Sequence, residues 1–341
     1  MAVPVFRPTV KRKDMGSVLS CIVSDKIGPG EISRELVARA GHLLGHAGGV
    51  TLCNSYLALT AALEALGLAA GDPVLLPALA PALWLRVLLD RGLVPLVVDV
   101  EPESGAIDPV QAAALAQKGA KAILVPHSLG IVADIAALKA LGIPILEDVS
   151  QSLGAMVGET PCGGTADVCL ISLDPESIVT CGGGSLVLAK SKQVAASLRR
   201  IQEASPLFSP LADMNSALGI SQLAALESFV AARREIAAAY AQSLLKSRHR
   251  SLAQKVDAEN VLSSFPVALA DGMKDVRQYA LKKAVDTLPA FGNTIAALED
   301  SPAAHCAHAR SLVLRCLLFP LYPMLGKRDV ENVCKVLASL P

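Results

Sequence analysis

Between Pro73 and Leu146 the chain contains four short apolar runs, interrupted only by Asp99: Pro73–Leu76, Val94–Val100, Ala122–Pro126 and Ile143–Leu146. Each follows a segment with helical character: Ser55–Leu66, Pro81–Asp90, Asp108–Gln117 and Ala133–Leu141. A strand with one wet face alternates apolar and polar residues, whereas a strand covered on both faces is apolar throughout. Short connections through helices join strands in parallel. Residues from about 50 to 190 are therefore expected to form a doubly wound α/β domain that binds ligands at the carboxyl ends of its strands.

Local signals agree with this reading. Gly71-Asp72 punctuates as a turn, Pro81 sits at a tolerated first-turn position, and Asp108 is an N-cap. Residues 1–50 read as a lead-in with helices over Asp14–Asp25 and Glu31–Leu44, the second closed by Gly45. Lys192–Ala204 is an amphipathic helix, and Ser205–Ser209 a break. Leu211–Ser247 reads as one long helix with Glu227, Arg233, Arg234 and Glu235 mostly on one side. Beyond Arg250 strand-like and helical runs mix: Asn260–Ala268, Met273–Asp286, Leu317–Leu321 and Arg328–Leu340. The expected division is a large domain over 1–250 and a small α+β domain over 251–341.

Composition narrows the functional classes. Basic and acidic residues balance at 31 each, which argues against broad attraction to nucleic acid or to an anionic membrane. Hydrophobic residues make up 52% of the chain and charged ones 18%, so part of the apolar surface is expected in a subunit interface. The basic N-terminus is not followed by an apolar stretch of signal-peptide type, and no run reaches membrane-span length. Eight cysteines without C-x-x-C pairing read as reduced, mostly buried thiols of a cytoplasmic protein. His42 with His46, and His305 with His308, lack the further ligands of a metal site, so no metal is expected. Gly182-Gly183-Gly184 lacks phosphate-loop spacing and reads as a turn into the strand Ser185–Leu188.

The chemistry concentrates in Ile145–Leu188. Glu147-Asp148 closes a strand; Gln151, Gly154 and Asp167 follow, and a second strand ends at Ser172-Leu173. This layout resembles the cofactor core of the DegT/DnrJ/EryC1/StrS family, pyridoxal-phosphate sugar aminotransferases of the type I fold. The resemblance implies a mostly parallel sheet domain with a smaller C-terminal α+β domain. It assigns Asp148 to the pyridinium nitrogen, Gln151 to the ring hydroxyl side and Ser172 to the phosphate, with Ser55 and Tyr56 at the phosphate turn. Asn54-Ser55-Tyr56 stands where the family has S-G-T. Ala80-Pro81 stands where it has an aromatic that stacks on the ring, leaving Trp84 or Tyr56 as replacements. The family lysine falls at Ser177, or at Glu176 if a one-residue gap intervenes, and no lysine lies between Lys139 and Lys190. A transaminase uses that amine both to form the Schiff base and to move the proton.

Three functions follow as expectations. The first is a degenerate family member without Schiff-base catalysis, binding pyridoxal or pyridoxamine phosphate non-covalently at most. It would serve nucleotide-sugar or surface-polysaccharide metabolism as a homodimer or beside a paralogous aminotransferase subunit. The second is an active aminotransferase with an unusual base. The third is a different reaction in the same cleft, with Asp148, Asp174 or Glu176 as acid or base.

Overall fold

The computed structural model describes residues 2–341. Twelve α-helices alternate with thirteen strands among those residues. Five parallel strands, β2 (Pro73–Pro77), β3 (Val94–Val98), β4 (Ala122–Pro126), β5 (Ile145–Asp148) and β8 (Val168–Ser172), form most of a seven-stranded sheet. The antiparallel β9 (Ser185–Ala189) and the edge strand β1 (Gly48–Leu52) complete it, in the order β1-β9-β8-β5-β4-β2-β3. A hairpin, β6 (Met156–Val157) with β7 (Thr160–Pro161), leaves the sheet between β5 and β8.

Burial on both faces explains the unbroken apolar strands. Leu76, Leu124, Leu146 and Leu170 pack with α3 (Ser55–Ala65), α4 (Ala82–Asp90) and α7 (Lys192–Ala204). Their neighbours Leu75, Ile123 and Ile145 face the other way, toward α5 (Pro109–Ala116) and α6 (Ile135–Lys139). On that second side Cys169 and Ile171 meet α2 (Glu31–Leu44). Consecutive residues thus enter different cores, and a polar side chain at any of them would be stranded without water. Asp108 caps α5 through the Val110 and Gln111 amides, and Gly182, Gly183 and Gly184, all at positive φ, form the expected turn into β9.

Several expectations change. The lead-in contains β1, overlooked because Gly-Gly is a poor strand signal. A Cβ on Gly49 would lie 2.0 Å from the Val187 carbonyl oxygen, so only glycine permits this register. The expected long helix is two, α8 (Asp213–Leu223) and α9 (Leu226–Leu244), broken at Ala224-Ala225. α8 packs against α1 (Arg12–Val23) and α2, and α9 against α12 (Lys327–Ala338). The two pieces serve different neighbours, and an alanine-rich join carries no breaker for sequence reading to detect. Gln222 locks the first of these contacts, giving its amide hydrogens to the Thr9 carbonyl and to the buried Asp14.

A second sheet, antiparallel, has the order β10 (Arg250–Ser251), β11 (Phe265–Ala268), β13 (Cys316–Phe319), β12 (Leu288–Pro289). Its core joins α9, α10 (Met273–Lys282) and α12, with Tyr240 edge-on to Phe265. α11 (Ala307–Arg315) leads into β13.

Arg233 is not on a solvent face. It is 4% exposed, and its Nη1 donates to the carbonyls of Ser263 and Leu321 at 2.8 Å, with Leu262 farther off at 3.4 Å. Burial brings its pKa down to about 10, since no carboxylate offsets the lost water. Arg233→Ala is expected to cost about 3 kcal/mol, because it strands buried carbonyls and opens a cavity. Urea unfolding checks this; a midpoint within error of wild type would refute it.

Candidate cofactor cleft

The carboxyl ends of β5 and β8 bring Asp148 and Ser172 to the same edge of the sheet, beside the turn that carries Ser177. Asp148 is half-buried. Its Oδ1 accepts the Ser150 amide at 2.8 Å and the Ser150 hydroxyl, while the Ser150 Oγ accepts the Ser172 amide at 2.7 Å. Ser150, which sequence reasoning passed over, therefore fixes the acid against β8. Burial raises the Asp148 pKa, the Ser150 hydrogen bonds pull it back, and the nearby Asp174 charge pushes it up further.

The other sequence-selected residues are also committed within the chain. Gln151 Oε1 accepts the Leu129 amide at 2.5 Å, which orients the loop after β4. In that loop Gly130 has φ +91°, and a Cβ there would sit 2.0 Å from the Val261 carbonyl oxygen. The Ser172 hydroxyl donates to Asp174 at 2.5 Å. Ser55 shares a hydrogen bond with Ser185 at 3.0 Å, while Asn54 caps α3 by accepting the Leu57 amide at 2.9 Å. Tyr56 turns its hydroxyl to Asp90 on α4 at 2.8 Å, and Trp84 is 3% exposed in the large core. Ser177 donates its amide to the Asp174 carbonyl at 3.0 Å.

The partner of Asp148 in sequence, Glu147, points to the opposite face. There Glu147 Oε2 meets His127 Nε2 at 2.9 Å and the Gly163 amide at 3.0 Å, with Cys162 alongside. Burial opposes charge on the His127 ring, while Cys162 and Glu147 raise its proton affinity to a net upward shift. The Ala133 amide, 3.1 Å from Nδ1 and pointing at it, nonetheless requires that nitrogen bare, so the ring hydrogen faces Glu147. The paired histidines of the sequence serve the backbone: His46 contacts the Gly163 carbonyl, His305 that of Val97 and His308 that of Val100.

The profile of the DegT/DnrJ/EryC1/StrS aminotransferase family matches residues 8–338. The chain belongs to that family. Solved structures share the fold at low identity. A protein of Streptococcus pneumoniae, Spr1654, assigned as a sugar aminotransferase and solved in its PLP form, superposes with a TM-score of 0.92 at 18% identity, over 99% of this chain and 98% of that one. The aminotransferase TlmJ of Streptoalloteichus hindustanus gives 0.90 at 24%, over 99% and 98%. GDP-4-keto-6-deoxymannose-3-dehydratase, solved with bound GDP-perosamine, gives 0.90 at 17%, over 98% and 99%. The type I architecture expected from sequence is the one observed.

The two ends of the cleft meet a phosphorylated pyridoxal differently. Asp148 keeps Oδ2 free of hydrogen bonds and could face a protonated ring nitrogen. The phosphate end is mixed: the Ser55 and Tyr56 amides at the start of α3 are open among the described residues, but the side chains oppose an anion. The Ser172 hydroxyl is spent on a carboxylate, and residues 140–189 contain neither lysine nor arginine.

A stability test follows from the raised Asp148 pKa. The folded carboxyl keeps its proton at pH values where the unfolded one has lost it, so stability falls as pH rises through that window, beginning near about pH 4. Asp148→Asn, which can still accept from Ser150, is expected to raise the melting temperature at neutral pH by on the order of 1–3 °C. The gain should fade toward about pH 4. Thermal melts across pH check it, and an unchanged or lowered neutral-pH value would contradict it.

Proposed function

We propose that this member of the sugar-aminotransferase family works without Schiff-base transamination, as a binding or partner subunit in nucleotide-sugar or surface-polysaccharide metabolism. The observation that carries the reading is Ser177. It stands in the turn after β8 where the family places its lysine, within a stretch from 140 to 189 that holds no other amine side chain. A serine hydroxyl forms no imine, and without one the substrate carbon has neither its electron sink nor its proton carrier. Membership in the family and the likeness to sugar-processing structures support a sugar-nucleotide ligand. The subunit would pair with a second copy of itself or with an intact paralogue, and exposed Met15, Leu19 and Ile22 on α1 supply apolar surface for such a contact.

A second reading has its own observation. Burial raises the Asp148 pKa above that of a free carboxyl, which favours its acid form in the cleft, so the cleft could run an acid–base reaction without the amine. Loss of any detected activity in Asp148→Ala, with the fold intact, would favour this reading.

The primary reading is tested by incubating the protein with pyridoxal phosphate, reducing with borohydride and measuring intact mass. The expected spectrum shows the unmodified chain. A phosphopyridoxyl adduct that maps to a single lysine would overturn the reading.

A further inference from the structure

The next step rests on that reading but concerns a different residue. We infer that Asp174 sets the cleft against phosphorylated cofactors, so that pyridoxal phosphate and pyridoxamine phosphate are weakened even as non-covalent ligands. The missing amine alone would not have this effect, because a phosphate can be held by hydroxyls and helix amides without any covalent link.

Only part of the donor set at this end of the sheet stays open: the Ser55 and Tyr56 amides that start α3 have no hydrogen-bond partner among the described residues, while the other nearby donors are taken. The Ser172 hydroxyl has one hydrogen, and it points to Asp174 Oδ2 at 2.5 Å. In the first turn of α3 the Leu57 amide is bound by the Asn54 side chain and the Ala58 amide by the Asn54 carbonyl. In the glycine turn, the Gly182 amide goes to Thr180 Oγ1 and the Gly183 amide to the Leu173 carbonyl. Asp174 is exposed and forms no salt bridge among the described residues. A phosphate within hydrogen-bond reach of Ser172 Oγ would therefore lie about 5 Å from an uncompensated carboxylate. Even with water-like screening, repulsion between that charge and a phosphate of about −2 weakens binding roughly tenfold or more.

The ring end has the opposite character. Asp148 Oδ2 is unspent and would welcome a protonated pyridine nitrogen or another cation. The cleft should therefore discriminate against the phosphate rather than against the ring, and Asp174 is the residue that sets this specificity.

The experiment compares pyridoxamine phosphate with pyridoxamine by calorimetry on wild type, Asp174→Asn and Asp174→Ser. Neutralising Asp174 is expected to tighten pyridoxamine phosphate about tenfold or more and to change pyridoxamine by less than about twofold. A covalent readout runs in parallel. Ser177→Lys alone should give little borohydride-fixed pyridoxal phosphate by intact mass, and Ser177→Lys with Asp174→Asn should give it readily. The inference is overturned if neither neutral variant gains affinity for pyridoxamine phosphate, or if the adduct forms equally, or equally little, with and without Asp174→Asn. Those failures leave the earlier reading standing. That reading falls only if the wild-type chain itself forms the adduct, so the two can be told apart.

Discussion

The structure depends on a sheet whose two faces are both closed to water. Consecutive residues such as Leu75 and Leu76, or Ile123 and Leu124, lie in separate cores. No position along the middle of these strands can carry polarity, so polar chemistry is displaced to the strand ends. Asp148 and Ser172 sit at such ends, on paired strands. The cleft is thus a by-product of burial: it is where the sheet first allows a carboxylate and a hydroxyl to face the same space.

At that edge the chain has satisfied itself. Asp148 is held by Ser150, Ser150 by the β8 backbone, Ser172 by Asp174, Ser55 by Ser185 and Gln151 by the loop after β4. A site preorganised for a ligand normally leaves donors aimed at the place the ligand will occupy. Here the side-chain groups left over are acceptors, Asp148 Oδ2 and the Asp174 carboxylate, and the open donors are the Ser55 and Tyr56 amides of α3. The side chains that resemble a phosphate cradle bond mostly to one another, with a carboxylate, Asp174, on the Ser172 hydroxyl.

Distant contacts hold the second sheet in place. Arg233 on α9 reaches the backbone just before β11 and just after β13, at Ser263 and Leu321. α9 contributes Ile236, Tyr240 and Leu244 to the core of that sheet. One buried cation bound only to carbonyls thus ties the long helix to the smaller sheet. His127 and Glu147 do comparable work behind the cleft, fixing the strand ends from the face that a ligand does not see.

The periodicity of the sequence and the cap and turn residues determined the parallel sheet and nearly every helix of the large unit, while the family came from the resemblance carried by Glu147-Asp148, Gln151 and Ser172. These signals are local: an N-cap such as Asp108, a turn such as Gly71-Asp72 and an apolar run each act within a few residues. Only the tertiary structure decided that Gly48–Leu52 is a strand, that Leu211–Ser247 divides in two and that Arg233 is buried. Those outcomes depend on backbone approach and helix packing between residues far apart in the chain. It also decided where the Ser172 hydroxyl is bonded. Sequence could place Ser172 at a strand end, but whether its single hydrogen faces a ligand or Asp174 is set by a turn geometry that no spacing rule encodes.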